Sequence, residues 1–511
     1  MSPAPTPLPP PGPGAPTPPI ELPDPATALP RIDAQHVAVP EPVVDALRGT
    51  GATVDADPAV RAEASRDWWP LAIGWALDNE LPARADVVVR PRTTEQVAAV
   101  LRICNEAAVP VTTVAGRSGV CGAAVPVHGG VALDVTALSG IVSVDDQSLV
   151  VDVAAGTFGD HLEDELRSRH GLTLGHWPQS IALSTVGGWV ACRSAGQLSN
   201  RYGKIEDIVV GLDVVLADGS VVRTGGAPRA AVGPDLTQMF VGSEGTLGVV
   251  TSARLRLRPV PEVEGRAAYG FASWFQGMDA CRRILRRGAD PAVLRLYDAV
   301  ESDRSYGTGD LHVLLVMDEG DPVTVDANMA VVAAECTAAT EPPAAQLDDE
   351  LVGRWFEHRN DVAALESLTR NGFVVDTMEI AAPWSRLGEI YTATVDALSA
   401  VDGVRAASAH QSHAYPDGAC LYFSFAGRPP DGERDAFYVR CWDVATRAVL
   451  DHGGSLSHHH GVGLHRSRFV AEALGSGFDV LVALKDAMDP RGILNPGKLG
   501  LPDPWGAPRW P

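Results

Sequence analysis

The stretch that decides the fold runs from Gly175 to Thr251. It opens GHWPQSIALSTVGGWV over residues 175–190 and closes VGSEGTLGVVT over residues 241–251. Between them, Ile208 to Leu216 and Val221 to Thr224 read as two strands joined by a turn at Asp218-Gly219. Small residues gather at Ser184, Thr185, Gly187, Gly188, Gly242, Ser243, Gly245, Thr246 and Gly248. Where no large side chain stands in the way, backbone can approach a flat ligand closely. Paired glycines also leave N–H groups uncovered for an anionic or carbonyl-rich ligand. On residue chemistry alone two readings stand: a ligand cradle of that kind, or two tight turns in a β-rich core.

Upstream, Val87-Val88-Val89 reads as a strand. Thr93-x-x-Gln96 is a capping-box signal, and Val97, Val100, Leu101 and Cys104 follow at helical spacing. Val109-Pro110-Val111 restarts a strand, which makes a βαβ unit. Its second strand runs into Val114-Ala115-Gly116-Arg117-Ser118-Gly119-Val120. A Gly-rich turn straight after a strand is where backbone N–H groups can hold a pyrophosphate, although this is not the Gly-x-Gly-x-x-Gly fingerprint. Leu149 to Val153 reads as a further strand and Phe158 to His170 as a polar helix. Downstream of Pro259-Val260-Pro261 the character changes. Gly277 to Arg287, Ala292 to Tyr297, Leu311 to Met317 and Val323 to Thr337 alternate between helix-like and strand-like patterns.

At 511 residues, two or three domains are expected. A formal net charge of −23 argues against nucleic acid and against electrostatic docking on anionic lipid, but leaves room for a locally basic pocket. Seven scattered cysteines with no Cys-x-x-Cys pair fit reduced thiols and a cytoplasmic location. Residues 1–30 are Pro-rich, with neither a basic region nor an apolar core, so a disordered tail over 1–37 is expected rather than a signal peptide or membrane anchor. Pro502 to Pro511 reads as a short extended tail.

Several motifs, in order and at consistent spacing, resemble the FAD-linked flavoproteins of the vanillyl-alcohol-oxidase type. These are the Ser184-to-Val190 run, Tyr202-Gly203 with Ile205-Glu206-Asp207, and Gly242 to Gly248. Within that family they most resemble the alkyldihydroxyacetonephosphate synthases, and the similarity extends from about Asp67 to Leu499. The resemblance implies an α+β fold: a two-subdomain FAD-binding domain over 38–258, an α+β cap over 259–450, and a C-terminal helical segment over 451–511 that returns to the flavin domain. It implies FAD held by Val114 to Val120, by Gln179, Ser180, Ile181, Ala182, Leu183, Ser184 and Thr185, by Cys192, Arg193, Ser194 and Ala195, and by Glu244, Gly245, Thr246, Leu247, Gly248, Val249 and Val250. No histidine stands in the 114–120 loop, where covalent members carry one, so non-covalent FAD is expected, with Arg117 as a candidate phosphate ligand. Trp177 and Trp189 are candidates to shield the flavin ring, or plain core. A homodimer is expected, and peripheral membrane contact stays open.

The chemistry falls on two later stretches. His413 to Phe425 contains Tyr422, and Ser457-His458-His459-His460-Gly461-Val462-Gly463 carries a histidine run. Neighbouring side chains on an extended chain point in opposite directions, so three consecutive histidines do not form a three-ligand metal site. D-2-hydroxy-acid dehydrogenases of the wider family place metal ligands near here. By comparison this chain keeps His413 but has Tyr422 and His459 at the other two positions, so no metal is expected. The synthase resemblance assigns Tyr422, His458, His459 and His460 as catalytic, with the phenol tuned by a nearby charged histidine. It assigns Arg295 and Arg370 to the substrate phosphate. Asp298 is the alternative, structural partner for Arg295. The reaction implied is exchange of the acyl chain of an acyl-dihydroxyacetone phosphate for a long-chain alcohol. The alternative is oxidation of a CH–OH group in a small hydroxy acid or alcohol. Asn495-Pro496-Gly497-Lys498 resembles the hydroxy-acid dehydrogenases more than the synthase.

Overall fold

The computed structural model describes residues 18–338, 340–360 and 363–509. Strands Val87–Arg90 and Val111–Val114 flank the helix Thr94–Ala107 as a βαβ unit. Both pair in parallel with Val131–Asp134, which lies between them, so the crossover skips one strand. Thr93 Oγ1 accepts the N–H of Gln96, and Gln96 Oε1 accepts that of Arg92, one residue away from the reciprocal bond of an ideal box. Thr53–Asp55 adds an antiparallel edge to this four-stranded sheet.

A second, five-stranded antiparallel sheet has the order Val221–Arg223, Val209–Val215, Val249–Arg256, Val150–Ala154, Ile141–Asp145. The hairpin expected across Asp218-Gly219 is its edge. The polar helix is in two parts, Gly159–Glu165 and a wider-wound turn Leu166–His170.

The remaining large unit is a seven-stranded antiparallel sheet. Its order is Ala345–Leu347, Val263–Phe271, His312–Gly320, Val293–Tyr297, Val404–Ala414, Gly418–Gly427, Val374–Pro383. Alternation gives it two different faces. Leu294, Leu296, Leu421, Phe423, Met378 and Ile380 join one core with the helices Trp274–Arg286, Trp384–Ser399 and Arg434–Asp451. The intervening residues, Arg295, Tyr422 and Glu379 among them, fall on the opposite face. There Val293, Tyr297, Val313 and Leu315 pack with Leu198 and Tyr202 of the flavin-side segment.

The expected disordered tail is corrected for residues 18–37. Ile20, Leu22, Ala28 and Ile32 are buried, and Leu29–Pro30 pairs in parallel with Glu80–Leu81. The apolar residues scattered among the prolines supply enough burial to order the chain there. Residues 1–17 lie outside the described residues. The C-terminal end is not free either, since Arg509 and Asp33 exchange backbone hydrogen bonds and Trp505 packs against a core. No described helix is long and apolar enough to cross a membrane, and the seven cysteines are all unpaired.

Candidate active site

The four segments assigned to FAD meet at one place. A Cβ on Gly116 would stand 2.0 Å from the carbonyl oxygen of Leu183, so only glycine lets the 114–120 loop lie against the 179–185 turn. Glu244 donates its N–H to Ala191, and Gly242 to Val190, which seats the 242–248 turn beside the helix Val186–Cys192. Val114, Ile181, Leu247 and Val249 turn their side chains into core, whereas Gly119, Gln179, Ala182 and Arg193 are exposed and Ser118 and Val120 partly so. Ser194 and Ala195 are buried, with Ser194 Oγ 3.3 Å from His176 Nε2, and Cys192 and Val250 are partly exposed.

Several side chains hold the frame rather than face a ligand. Thr185 caps its helix by accepting the Gly188 N–H, Thr246 bonds the Ser243 carbonyl, and Ser184 Oγ accepts the Trp189 indole N–H at 2.7 Å. Trp189 is thereby core, while Trp177 is half-buried under the Arg167 guanidinium. Arg117 does not point at the loop's interior, because its guanidinium donates to the carbonyl of Glu63. Its backbone, at φ +57°, makes the turn that a smaller residue would make more easily.

The backbone N–H groups of residues 116–120 donate to no acceptor among the described residues. Successive free donors in a turn that leaves a strand are what a dinucleotide pyrophosphate requires. The loop therefore fits FAD through backbone alone.

The histidine run is folded onto this frame. Glu244 Oε1 and Oε2 accept the N–H groups of Val462 and Gly463 at 2.5 and 2.8 Å. Asn495 Nδ2 donates to Ala123 and Glu244 carbonyls, and Lys498 Nζ donates to the Val125 carbonyl. Cβ atoms on Gly461 and Gly463 would clash with Glu244 and with the Cys121 carbonyl. Glu244 thus clamps the His-to-Gly turn with its side chain instead of lining the flavin with it. From the cap side, Glu379 Oε1 accepts N–H groups of His458, His459 and His460.

Tyr422, His410 and Glu379 sit directly opposite one another on three adjacent strands. The Tyr422 hydroxyl bonds His460 Nε2 at 2.8 Å, and its ring stacks on His410 with centroids 4.9 Å apart. The expectation of a phenol tuned by a charged histidine is corrected. Burial drives the imidazole pKa values down, His458 to about 3, His410 to about 4, and His413 and His459 well below the usual 6.5. Burial likewise raises the Tyr422 phenol. The site is a set of neutral rings around a neutral phenol.

Arg295 enters from the next strand. Its Nη2 lies 2.6 Å from His410 Nε2 and its Nε donates to the Tyr297 hydroxyl at 2.7 Å. Among the described residues no carboxylate stands within 4.0 Å of it. Asp298 instead caps the helix Ala299–Tyr306 and accepts the Ala409 N–H. Arg370 is corrected: it is exposed at the end of the helix Ala363–Arg370 and pairs with Glu366 one turn back, away from Tyr422. Sequence reading missed Arg359. That half-buried guanidinium has no ion-pair partner among the described residues and lies 5.7 Å from the Trp355 ring centre, and Arg295 lies 5.8 Å from the same ring. Only the spacing Trp355-x-x-x-Arg359 marked it.

His413, His458 and His459 bring ring nitrogens within 4.8 Å of one another, an arrangement able to hold a metal ion. His413 Nδ1 bonds Ser199, and His458 Nε2 bonds the Tyr415 hydroxyl. Two histidines of the run join this set, and the third ring, His413, arrives from the sheet strand Val404–Ala414, which the run alone did not foretell. A cavity of about 720 Å³ lies elsewhere, between the helices Trp274–Arg286 and Trp384–Ser399, and is lined by Phe275, Met278 and Trp384 but by none of these site residues.

The site thus combines a loop of free backbone donors, a phenol hydrogen-bonded to an imidazole, and a guanidinium with no ion pair among the described residues. Residues 85–225 match the FAD binding domain, and residues 260–499 match the C-terminal domain of FAD linked oxidases. The chain is 33% identical over 434 residues to the uncharacterized FAD-linked oxidoreductase YgcU of Escherichia coli K12, covering 81% of this chain and 88% of that one. It is 30% identical to glycolate oxidase subunit GlcD of Bacillus subtilis, over 81% and 88% of the two chains. It is 28% identical to alkyldihydroxyacetonephosphate synthase of Dictyostelium discoideum, over 81% and 73%. A solved alkyldihydroxyacetonephosphate synthase superposes with a TM-score of 0.75 at 23% identity, over 92% of this chain and 89% of that one. The chain belongs to the FAD-linked oxidase family, and FAD is its cofactor.

Proposed function

We propose that the chain is an alkyldihydroxyacetonephosphate-synthase-like transferase that exchanges the acyl chain of an acyl-dihydroxyacetone phosphate for a long-chain alcohol. The observation that carries the reading is Arg295. A half-buried guanidinium whose direct contacts are a hydroxyl, a neutral imidazole and aromatic faces, with the nearest carboxylate, Glu301, on the far side of His410, calls for an anion. A substrate phosphate beside Tyr422 supplies it, and Arg359 on the same Trp355 ring offers a second fork in the role expected of Arg370. Bound FAD would supply the electron-rich ring on which the substrate carbon is held during exchange. The chain contributes orientation through Arg295, proton transfer through Tyr422 and His460, and exclusion of water by the cap.

The second reading is an oxidoreductase acting on the CH–OH group of a small hydroxy acid. It is favoured by the relatives named oxidoreductase and glycolate oxidase and by the Asn495-to-Lys498 ending. Arg295 would then hold a carboxylate. The deciding experiment mixes holo-protein with acyl-dihydroxyacetone phosphate and a long-chain alcohol in the absence of an electron acceptor. Alkyl product and free fatty acid without lasting flavin bleaching support exchange. Anaerobic bleaching by a hydroxy acid, reversed by oxygen or a dye, supports the oxidoreductase.

A further inference from the structure

Tyr422 and His460 share one buried acidic neighbour. Glu379 is fully buried and faces Tyr422 in register on the adjoining strand. Its Oε1 accepts the Ser457 hydroxyl at 2.5 Å and the N–H groups of His458, His459 and His460 at 3.2, 2.9 and 2.6 Å. Its Oε2 accepts from Arg466 at 2.7 Å and stands 3.7 Å from His460 Nδ1. That Nδ1 is buried and makes no hydrogen bond among the described residues, while Nε2 of the same ring faces the Tyr422 hydroxyl.

We infer that Glu379 is the third member of a Tyr422–His460–Glu379 proton relay, holding His460 in one tautomer and opposing the charge that ring acquires. The inference rests on the acid–base role proposed for Tyr422. A phenol that donates to Nε2 requires the ring proton to sit on Nδ1, the nitrogen turned toward the carboxylate. When the phenol O–H bond breaks, the proton forms an N–H bond at His460 Nε2, and the positive ring then lies beside Glu379 Oε2. The phenolate takes the hydroxyl proton of the incoming substrate, and the His460 proton leaves with the departing group. No electrons change hands within the relay. Glu379 is the carboxylate beside that ring, and Arg466, on the same segment as His460, is ion-paired to the same Oε2. The logic is that of a buried acid that orients a histidine and steadies its imidazolium without itself taking the proton.

Glu379→Gln tests it. Glutamine keeps an oxygen for the three N–H groups and removes the charge. With flavin still bound, kcat for whichever reaction the wild type catalyses should fall about 10²-fold or more, in the range of an acid–base group, with KM within about threefold. In a Tyr422→Phe background the same change should cost almost nothing further, because members of one unit are not additive. A loss that multiplies with Tyr422→Phe, or a single variant within about threefold of wild type, overturns the relay. If Glu379→Gln does not hold FAD, the wild type decides. ¹⁵N-histidine spectra of the holo-protein, with His460 assigned by its loss in His460→Gln, should show Nδ1 protonated and Nε2 free at neutral pH, and the opposite tautomer overturns the inference. Neither readout depends on which substrate is used, whereas failure of the exchange reading appears as absent alkyl product in the wild type.

Discussion

Arg295 ends with its Nη2 2.6 Å from Nε2 of His410, and this contact fixes the state of both groups. His410 Nδ1 faces Glu301 Oε2 at 2.8 Å, so the ring proton lies there and Nε2 accepts from the guanidinium. A protonated His410 would place two cations together. Burial first, and Arg295 second, keep its pKa down near 4. The positive charge of the pocket therefore stays on Arg295, two strands away from the phenol that stacks on His410.

Arg295→Met should leave FAD bound and weaken the anionic substrate. Removing one partner of a buried charge contact costs about 2–5 kcal/mol, so KM should rise roughly 30-fold or more. Steady-state kinetics with phosphorylated and unphosphorylated substrate check it. An equal KM change for both would place Arg295 in the frame instead.

Tyr422→Phe should abolish turnover by ~10²–10⁴ while leaving the flavin spectrum unchanged, since the ring keeps its stacking on His410. Single-turnover rates of the two proteins give the comparison. A variant within about threefold of wild type returns the phenol to a packing role.

How much of this was legible follows from which physics local sequence records. The strand–turn–strand of the organising stretch, the capped helix at Thr93 and the glycine turns are local, and each lies where its residues predict. The ordering of residues 18–37 is not local: Ile20 and Leu22 are stabilised by Ile73, Ala76 and Leu81 from another segment. Arg370 and Arg359 are both arginines near the end of a helix. Only the tertiary path shows one turned to solvent and the other against Trp355. Glu379 was visible as a residue but not as a partner, because its meaning depends on the register that sets it against Tyr422.

The flavin should leave the polypeptide on acid or denaturant, at about one FAD per chain. The 114–120 loop offers backbone donors and carries no histidine to form a covalent link. Absorbance of the supernatant after precipitation measures this. Flavin retained in the pellet would locate a covalent bond outside the loop.

Chelation should leave turnover within about twofold. Tyr422 and His460 carry the proposed acid–base step, and neither belongs to the His413–His458–His459 set. Activity after exhaustive dialysis against a chelator, with metal content measured in parallel, checks it. A loss restored by zinc or manganese would put a cation on those three rings and into the reaction.

Stability should fall as pH drops from about 7 to 5. His176, His410 and His458 have pKa values held near 3, 4 and 3 by burial, and His413, His459 and His465 lie well below 6.5 for the same cause. Below the ordinary 6.5 the unfolded chain binds protons at these positions and the folded chain does not, so the stability they contribute above that pH is lost on acidification. Asp67, Asp298 and Asp376 work in the opposite sense. Burial raises them to about 7, 6 and 6, so the folded chain takes up protons there while the unfolded chain, with carboxyls near 3.8, does not. Burial also lowers His312 and His460 and raises Glu163, Glu244 and Glu319, and the eight lowered imidazoles still outnumber the six raised carboxyls, so the net uptake over this window belongs to the unfolded state, and each net proton is worth about 1.4 kcal/mol per pH unit. Thermal unfolding of the holo-protein at fixed ionic strength should therefore give a lower Tm at pH 5 than at pH 7. A Tm that is flat or rises toward pH 5 would mean that the histidines of the site are charged in the folded protein, and the neutral pocket around Tyr422 would have to be abandoned.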